Sequence, residues 1–125
     1  MSKQLIELVL PRLAEPLYRH LQRFRDGAWD EERFTRCFER LLRRQHAWLT
    51  KQGVSDVIAA LTIHGAVLVL SHPGLQAEAE EAKLPLEIVE FRAVKEAAED
   101  VAQNYDISER EAIRALTSMV AKYGN

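Results

Sequence analysis

Residues 54–70 read VSDVIAALTIHGAVLVL, and this stretch decides the fold of the chain. Its apolar side chains occupy nearly every side of a helix, with a single histidine, His64, at the centre. A helix that is hydrophobic on all sides needs neighbouring elements on all sides. The stretch therefore predicts a central helix at about residues 55–71, with His64 as a buried polar group.

Helical periodicity on both sides of this stretch predicts an all-α fold. Apolar residues recur at three-to-four spacing in residues 3–25, and Asp30 provides an N-cap for a second helix. Pro85 and Ser108 mark the starts of two later helices. The 125 residues are thus expected to form a single helical domain, a compact bundle of four to five helices around the central hydrophobic helix.

Two local features leave the secondary structure open. Pro11 and Pro16 lie inside the first helical segment, and each removes a backbone donor, so this segment is expected to kink or divide. Residues 4–10 and 86–91 are short, largely apolar runs, and each fits a short strand as well as a helix.

Charge is divided unevenly between the two halves of the chain. Residues 1–51 contain 11 Lys and Arg against 7 Asp and Glu, whereas residues 52–125 contain 6 against 12. This asymmetry is typical of a face that binds nucleic acid. It is equally typical of two halves that attract each other within a bundle or across a dimer.

The sequence favours a cytoplasmic protein that does not span a membrane. The strongest apolar stretch, residues 57–70, is shorter than the roughly 20 residues that a transmembrane helix needs. The one cysteine, Cys37, cannot form an intrachain disulfide and lies at helical spacing from apolar residues. It is expected to be a packed thiol in a reducing compartment.

The histidines show none of the spacings that define a metal site. Neither Glu-x-x-His, His-Glu-x-x-His nor a Cys/His zinc pattern occurs, and there is no glycine-rich phosphate loop. The sequence thus predicts no metal and no cofactor. His64 is the one candidate cofactor ligand, because a neutral imidazole on an apolar wall suits a group such as haem.

The second helix carries arginines at three-to-four spacing, so they follow one side of the helix. Proteins use such a stripe against the phosphates of nucleic acids. Acidic residues of the second half of the chain offer alternative partners, inside the bundle or in another subunit. The candidate nucleic-acid-binding residues are Arg33, Arg36, Arg40, Arg43 and Arg44.

Arg40 and His46 form an Arg-x5-His pair on the same helix. The pair resembles the one with which small all-helical ribonucleases of the HEPN type perform acid–base chemistry on RNA phosphates. Leu41 departs from that pattern, in which a polar residue usually follows the arginine. The resemblance implies a ribonuclease whose catalytic residues are Arg40 and His46.

The sequence as a whole favours a small non-enzymatic protein that acts through helix-mediated protein–protein contacts, in a homodimer or with another protein. A small bundle is not expected to cover every face of residues 54–70, and the two halves of the chain carry opposite charge. Nucleic-acid binding through the arginine stripe and RNA cleavage by Arg40 and His46 are the two alternatives.

Overall fold

The computed structural model describes residues 2–123, with side chains described from Leu5 onward. These residues form six α-helices and no strand, which confirms the all-α prediction. The count exceeds four to five because Pro73, in the first turn after a break at Ser71, starts a separate helix. The helices are α1 (Ser2–Arg25), α2 (Glu31–Lys51), α3 (Asp56–Leu70), α4 (His72–Ala82), α5 (Leu86–Asn104) and α6 (Glu109–Tyr123).

Helix α3 is the centre of the bundle and contacts each of the other five helices. Ala59, Thr62 and Ala66 are fully buried along it. At Gly65 the approach of α6 is so close that a Cβ atom would overlap the sulfur of Met119. The chain itself therefore covers most of the apolar surface of α3, on which the predicted homodimer was based. The homodimer stays a prediction, but this surface no longer supports it.

Side chains cap three helices at the residues that start them. Asp30 and Ser55 each accept a hydrogen bond from the backbone N–H three positions on, at 2.8 and 3.3 Å, at the starts of α2 and α3. Ser108 does the same for α6 at 3.1 Å. These bonds satisfy backbone donors that have no partner within the helix.

Helix α1 runs without a break through Pro11 and Pro16, so of the predicted kink or division the division does not occur. Leu13, between the two prolines, is buried against the core. Its packing holds the helix together where two backbone hydrogen bonds are lost. Residues 4–10 and 86–91 are helical and form no strand.

Among residues 2–123, no single helix is both long and apolar enough to cross a membrane. Helices α3 and α4 together meet that test by length and composition, but they are bent by 55° at their junction.

Candidate functional site

Two cavities lie on either side of α2. The first, here called the cationic cavity, lies between α1 and α2 and has a volume of about 250 Å³. The second, here called the histidine cavity, is formed by α2, α3 and the C-terminal end of α5, and has a volume of about 410 Å³. Consecutive helical residues lie about 100° apart around the axis. Arg43 and Arg44 consequently line different cavities.

The cationic cavity brings together three arginines from two helices, Arg19 from α1 and Arg40 and Arg44 from α2. Within residues 5–123, no carboxylate oxygen lies within 4.0 Å of any of these guanidinium groups. The cavity is thus a cluster of positive charge that has no paired carboxylate among the described residues. Guanidinium groups in this arrangement suit an anion, with phosphate and carboxylate as the best geometric matches.

His20, which also lines the cationic cavity, responds to this positive charge. Burial, and then the guanidinium groups of Arg23, Arg19 and Arg44, lower the pKa of His20. Its Nδ1 atom is buried without a hydrogen-bond partner in the described part of the chain. Its ring lies against Trp29, with 5.1 Å between the ring centroids. The ring is therefore neutral at neutral pH. An anion bound in the cavity would offset the repulsion between the arginines and a protonated His20 ring.

Aromatic side chains lie close to some of the arginines of α1 and α2. The guanidinium groups of Arg23 and Arg33 each lie 5.2 Å from the ring centroid of Trp29. On α1, Tyr18 is 65% exposed and Phe24 is 41% exposed. Trp29 itself is buried, and the partly exposed Phe24 ring lies 5.3 Å from that of Phe34. An exposed ring next to positive charge is typical of proteins on which nucleic-acid bases stack.

The five arginines of the predicted stripe lie in different surroundings. Arg40 and Arg44 line the cationic cavity, and Arg43 lines the histidine cavity. Arg33 lies over a tryptophan ring, and Arg36 lines a shallow depression beside the acidic first turn of α2. Within residues 5–123, Arg43 alone of the five has a carboxylate within 4.0 Å, and that carboxylate belongs to its own helix. The pairing with the acidic half of the chain does not occur within the described structure.

The histidine cavity combines an apolar floor with polar groups. Leu42, Ala60 and Ile63 supply apolar surface. The polar groups come from α2, α3 and the residue that follows α5. They include two histidines, one at the centre of α3 and one near the end of α2. They are Arg43, His46, His64 and Tyr105.

Each of these histidines has one ring nitrogen near an aspartate. His64 Nε2 lies 3.3 Å from Asp100 Oδ2. His46 Nε2 lies 3.3 Å from the backbone oxygen of Asp56, 3.8 Å from its carboxylate and 3.4 Å from the hydroxyl of Tyr105. Within residues 5–123, neither histidine makes a hydrogen bond through its Nδ1 atom, and neither Nδ1 atom is fully buried. Both Nδ1 atoms are therefore open to solvent or a ligand.

His64 differs from its sequence-based description. Its side chain keeps 25% of its accessible surface, so it is half-buried at a cavity wall rather than enclosed in the core. Burial lowers the pKa of His64, and the neighbouring Asp100 carboxylate opposes this shift by raising it. Asp100 is the side-chain partner of His64, and the role of His64 as a cofactor ligand stays a prediction.

The structure does not bring Arg40 and His46 together. Arg40 lines the cationic cavity, and His46 lines the histidine cavity on the other side of the same helix. His46 lies six residues after Arg40, which is about 240° beyond one full turn of an α-helix, so the two side chains point in different directions. Arg43, one turn before His46, shares its cavity instead. The partnership of His46 with His64 depends on α2–α3 packing, which no local spacing reveals.

Cys37 is a free, half-buried thiol on the wall of the cationic cavity, and not the core thiol that its spacing predicted. Among the described residues, no group of three or more His, Cys, Asp or Glu side chains is placed to hold a metal ion. Comparisons with protein-family models, curated proteins and solved structures found no match. The chemistry of the two cavities is thus the basis on which a function can be assigned.

Proposed function

We propose that this protein binds single-stranded nucleic acid through the cationic cavity and the arginines around it. The observation that carries the proposal is that Arg19, Arg40 and Arg44 share one cavity, without a carboxylate within 4.0 Å among residues 5–123. Guanidinium groups bind phosphate through paired hydrogen bonds. Like charges in one cavity repel each other until an anion joins them.

The exposed rings favour nucleic acid over an acidic protein. An acidic protein would neutralise the arginines but would make no specific use of the exposed part of the Phe24 ring. Bases stack on such rings, and each stacked base contributes about 1–3 kcal/mol with little dependence on sequence.

The proposal is tested by fluorescence anisotropy with a labelled single-stranded RNA and a DNA of the same sequence, at about 50 mM salt. The decisive variant carries Arg40→Glu and Arg44→Glu. The matched control carries Arg110→Glu and Arg114→Glu, which impose the same charge change on exposed residues of α6. We expect the first pair to abolish most of the binding and to lower the slope of log K against log salt by about two.

The outcomes separate specific binding from general electrostatic attraction. A control variant that binds like the wild type supports the cationic cavity as the site. No binding by the wild type, or an equal loss in both double variants, contradicts the proposal. Equal competition by polyglutamate and by unlabelled oligonucleotide would assign the cavity to acidic proteins instead.

We propose as a second candidate that the chain also forms a homodimer through α5 and α6. On α5, Ile88 is 45% exposed and Phe91 is 56% exposed. Phe91 borders a groove of about 220 Å³ whose floor includes Val94 and Val120. A ring beside a groove allows self-complementary contact, in which Phe91 of each copy enters the groove of the other.

Sedimentation velocity at micromolar concentration tests the homodimer. We expect a dimer for the wild type and a monomer for Phe91→Ser. Tyr18→Ser, which removes an even more exposed ring on another face, is the control and is expected to stay dimeric. A monomeric wild type contradicts this candidate. We also propose a cytoplasmic location, which the single free cysteine supports.

A further inference from the structure

We propose that the histidine cavity cleaves the phosphodiester bond of RNA, with His64 as the general base and His46 as the general acid. This activity rests on the proposed function, because the arginines of α2 deliver the substrate. Arg43 lines the histidine cavity, and Arg44 lines the cationic cavity on the opposite side of the same helix. One strand that crosses α2 can therefore place a phosphate in each cavity.

The two histidines are held as acid–base groups usually are, with one nitrogen oriented and the other free. Asp100 fixes the Nε2 atom of His64, and Asp56 and Tyr105 fix that of His46. The Nδ1 atoms, which are not fully buried and make no hydrogen bond within residues 5–123, remain for proton transfer to and from a substrate. General acid–base catalysis requires this division of roles within one cavity.

The surroundings assign the base and the acid. Burial lowers the pKa of His64, so this ring is neutral at neutral pH and can accept a proton. His46 lies 3.8 Å from the Asp56 carboxylate, which can pair with its protonated form. Arg43 adds a cation where the phosphorane gains negative charge, and its own carboxylate partner is 4.0 Å away and well exposed.

The reaction is a transesterification that needs neither water nor an oxidant. The Nδ1 atom of His64 takes the proton of the ribose 2′-hydroxyl, and the 2′-oxygen forms a bond to phosphorus. The bond between phosphorus and the 5′-oxygen breaks, and His46 Nδ1 donates a proton to that oxygen. The products are a 2′,3′-cyclic phosphate and a 5′-hydroxyl, and the exchange leaves His64 protonated and His46 neutral.

The experiment uses a DNA oligonucleotide with a single ribonucleotide, and the all-DNA strand as its non-cleavable counterpart. Products of the full chain are separated by chromatography and identified by mass. His46→Ala and His64→Gln are the test variants. His72→Ala is the matched control, because His72 lies 3.8 Å from Glu90 in the same kind of pair but outside the cavity.

We expect the wild type to cleave at the ribonucleotide alone and to leave a cyclic phosphate. His46→Ala and His64→Gln should each lower the rate by at least about 100-fold, whereas His72→Ala should stay near the wild-type rate. If His64→Gln loses its helical circular dichroism, His46→Ala decides. Equal cleavage by the wild type and His46→Ala overturns the inference, since the activity would then come from elsewhere.

Binding of the all-DNA strand separates this inference from the function on which it rests. A wild type that binds the all-DNA strand but does not cleave at the ribonucleotide overturns the cleavage activity and leaves nucleic-acid binding intact. A wild type that binds neither strand overturns both.

Discussion

The imidazole of His64, from the middle of α3, lies 3.3 Å from the carboxylate of Asp100, near the end of α5. The pair joins the central helix to its neighbour at the wall of the histidine cavity. The Asp100 carboxylate also orients one nitrogen of the half-buried His64 ring. A histidine on a purely apolar wall would have no such partner. The pair has consequences for both titration and stability.

Asp100→Asn should lower the pKa of His64 further below its ordinary value, because burial lowers this pKa and the Asp100 carboxylate opposes that effect. The measurement is an NMR titration of the His64 ring. Asp106→Asn, which changes an exposed carboxylate beyond α5, is the control and should leave the titration unchanged. A His64 titration that is the same in Asp100→Asn and the wild type would show that the carboxylate does not act on the ring.

The free energy of unfolding should fall as the pH decreases below about 6.5. His64 has a lowered pKa in the folded chain, so the unfolded chain binds more protons in this range. The contribution of His64 is complete above the pKa of the unfolded chain and declines as the pH falls through the folded value. Denaturant titrations at several pH values measure it. A His64→Gln variant that folds but keeps the full pH dependence would contradict this assignment.

Arg44→Ala should raise the pKa of His20 toward its ordinary value, because the Arg44 guanidinium is one of the charges that lower it. Burial and two other arginines also lower this pKa, so the return is expected to be partial. Arg36→Ala, on the same helix and outside the cationic cavity, is the control. NMR titration of the His20 ring distinguishes the two variants. Equal pKa values in both would indicate that Arg44 does not act on His20.

Leu61→Ala should lower the free energy of unfolding by about 2–5 kcal/mol, because Leu61 is buried on the helix at the centre of the bundle. Ile58→Ala is the comparison on the same helix, where the side chain is 39% exposed and a smaller loss of about 1 kcal/mol is expected. Urea denaturation followed by circular dichroism gives both values. A loss below about 1 kcal/mol for Leu61→Ala would contradict the central position of α3.

The sequence was sufficient to predict the elements governed by local physics. The all-round apolar character of residues 54–70 predicted the central helix, and Asp30 predicted the start of α2. Pro11 and Pro16 do not divide α1, whose Leu13 packs in the core between them. The sequence pattern of residues 3–25 does not show how strongly the packing of α1 stabilises the helix.

The candidate sites were less predictable because they depend on contacts between helices. The arginine stripe is visible as spacing on α2, but its division between two cavities follows from which helix packs on which flank. Arg19 and His64 join these cavities from α1 and α3, and neither has a sequence motif that links it to α2. Their roles become visible only when the helices are assembled.

The most direct test of the central claim is an NMR titration of the arginine side-chain Nε–Hε groups with a single-stranded oligonucleotide. If the cationic cavity binds the phosphates, the largest shifts will come from Arg19, Arg40 and Arg44. The exposed arginines of α6 will change little. Shifts that are uniform over all arginines, or absent from those three, would contradict nucleic-acid binding at this cavity.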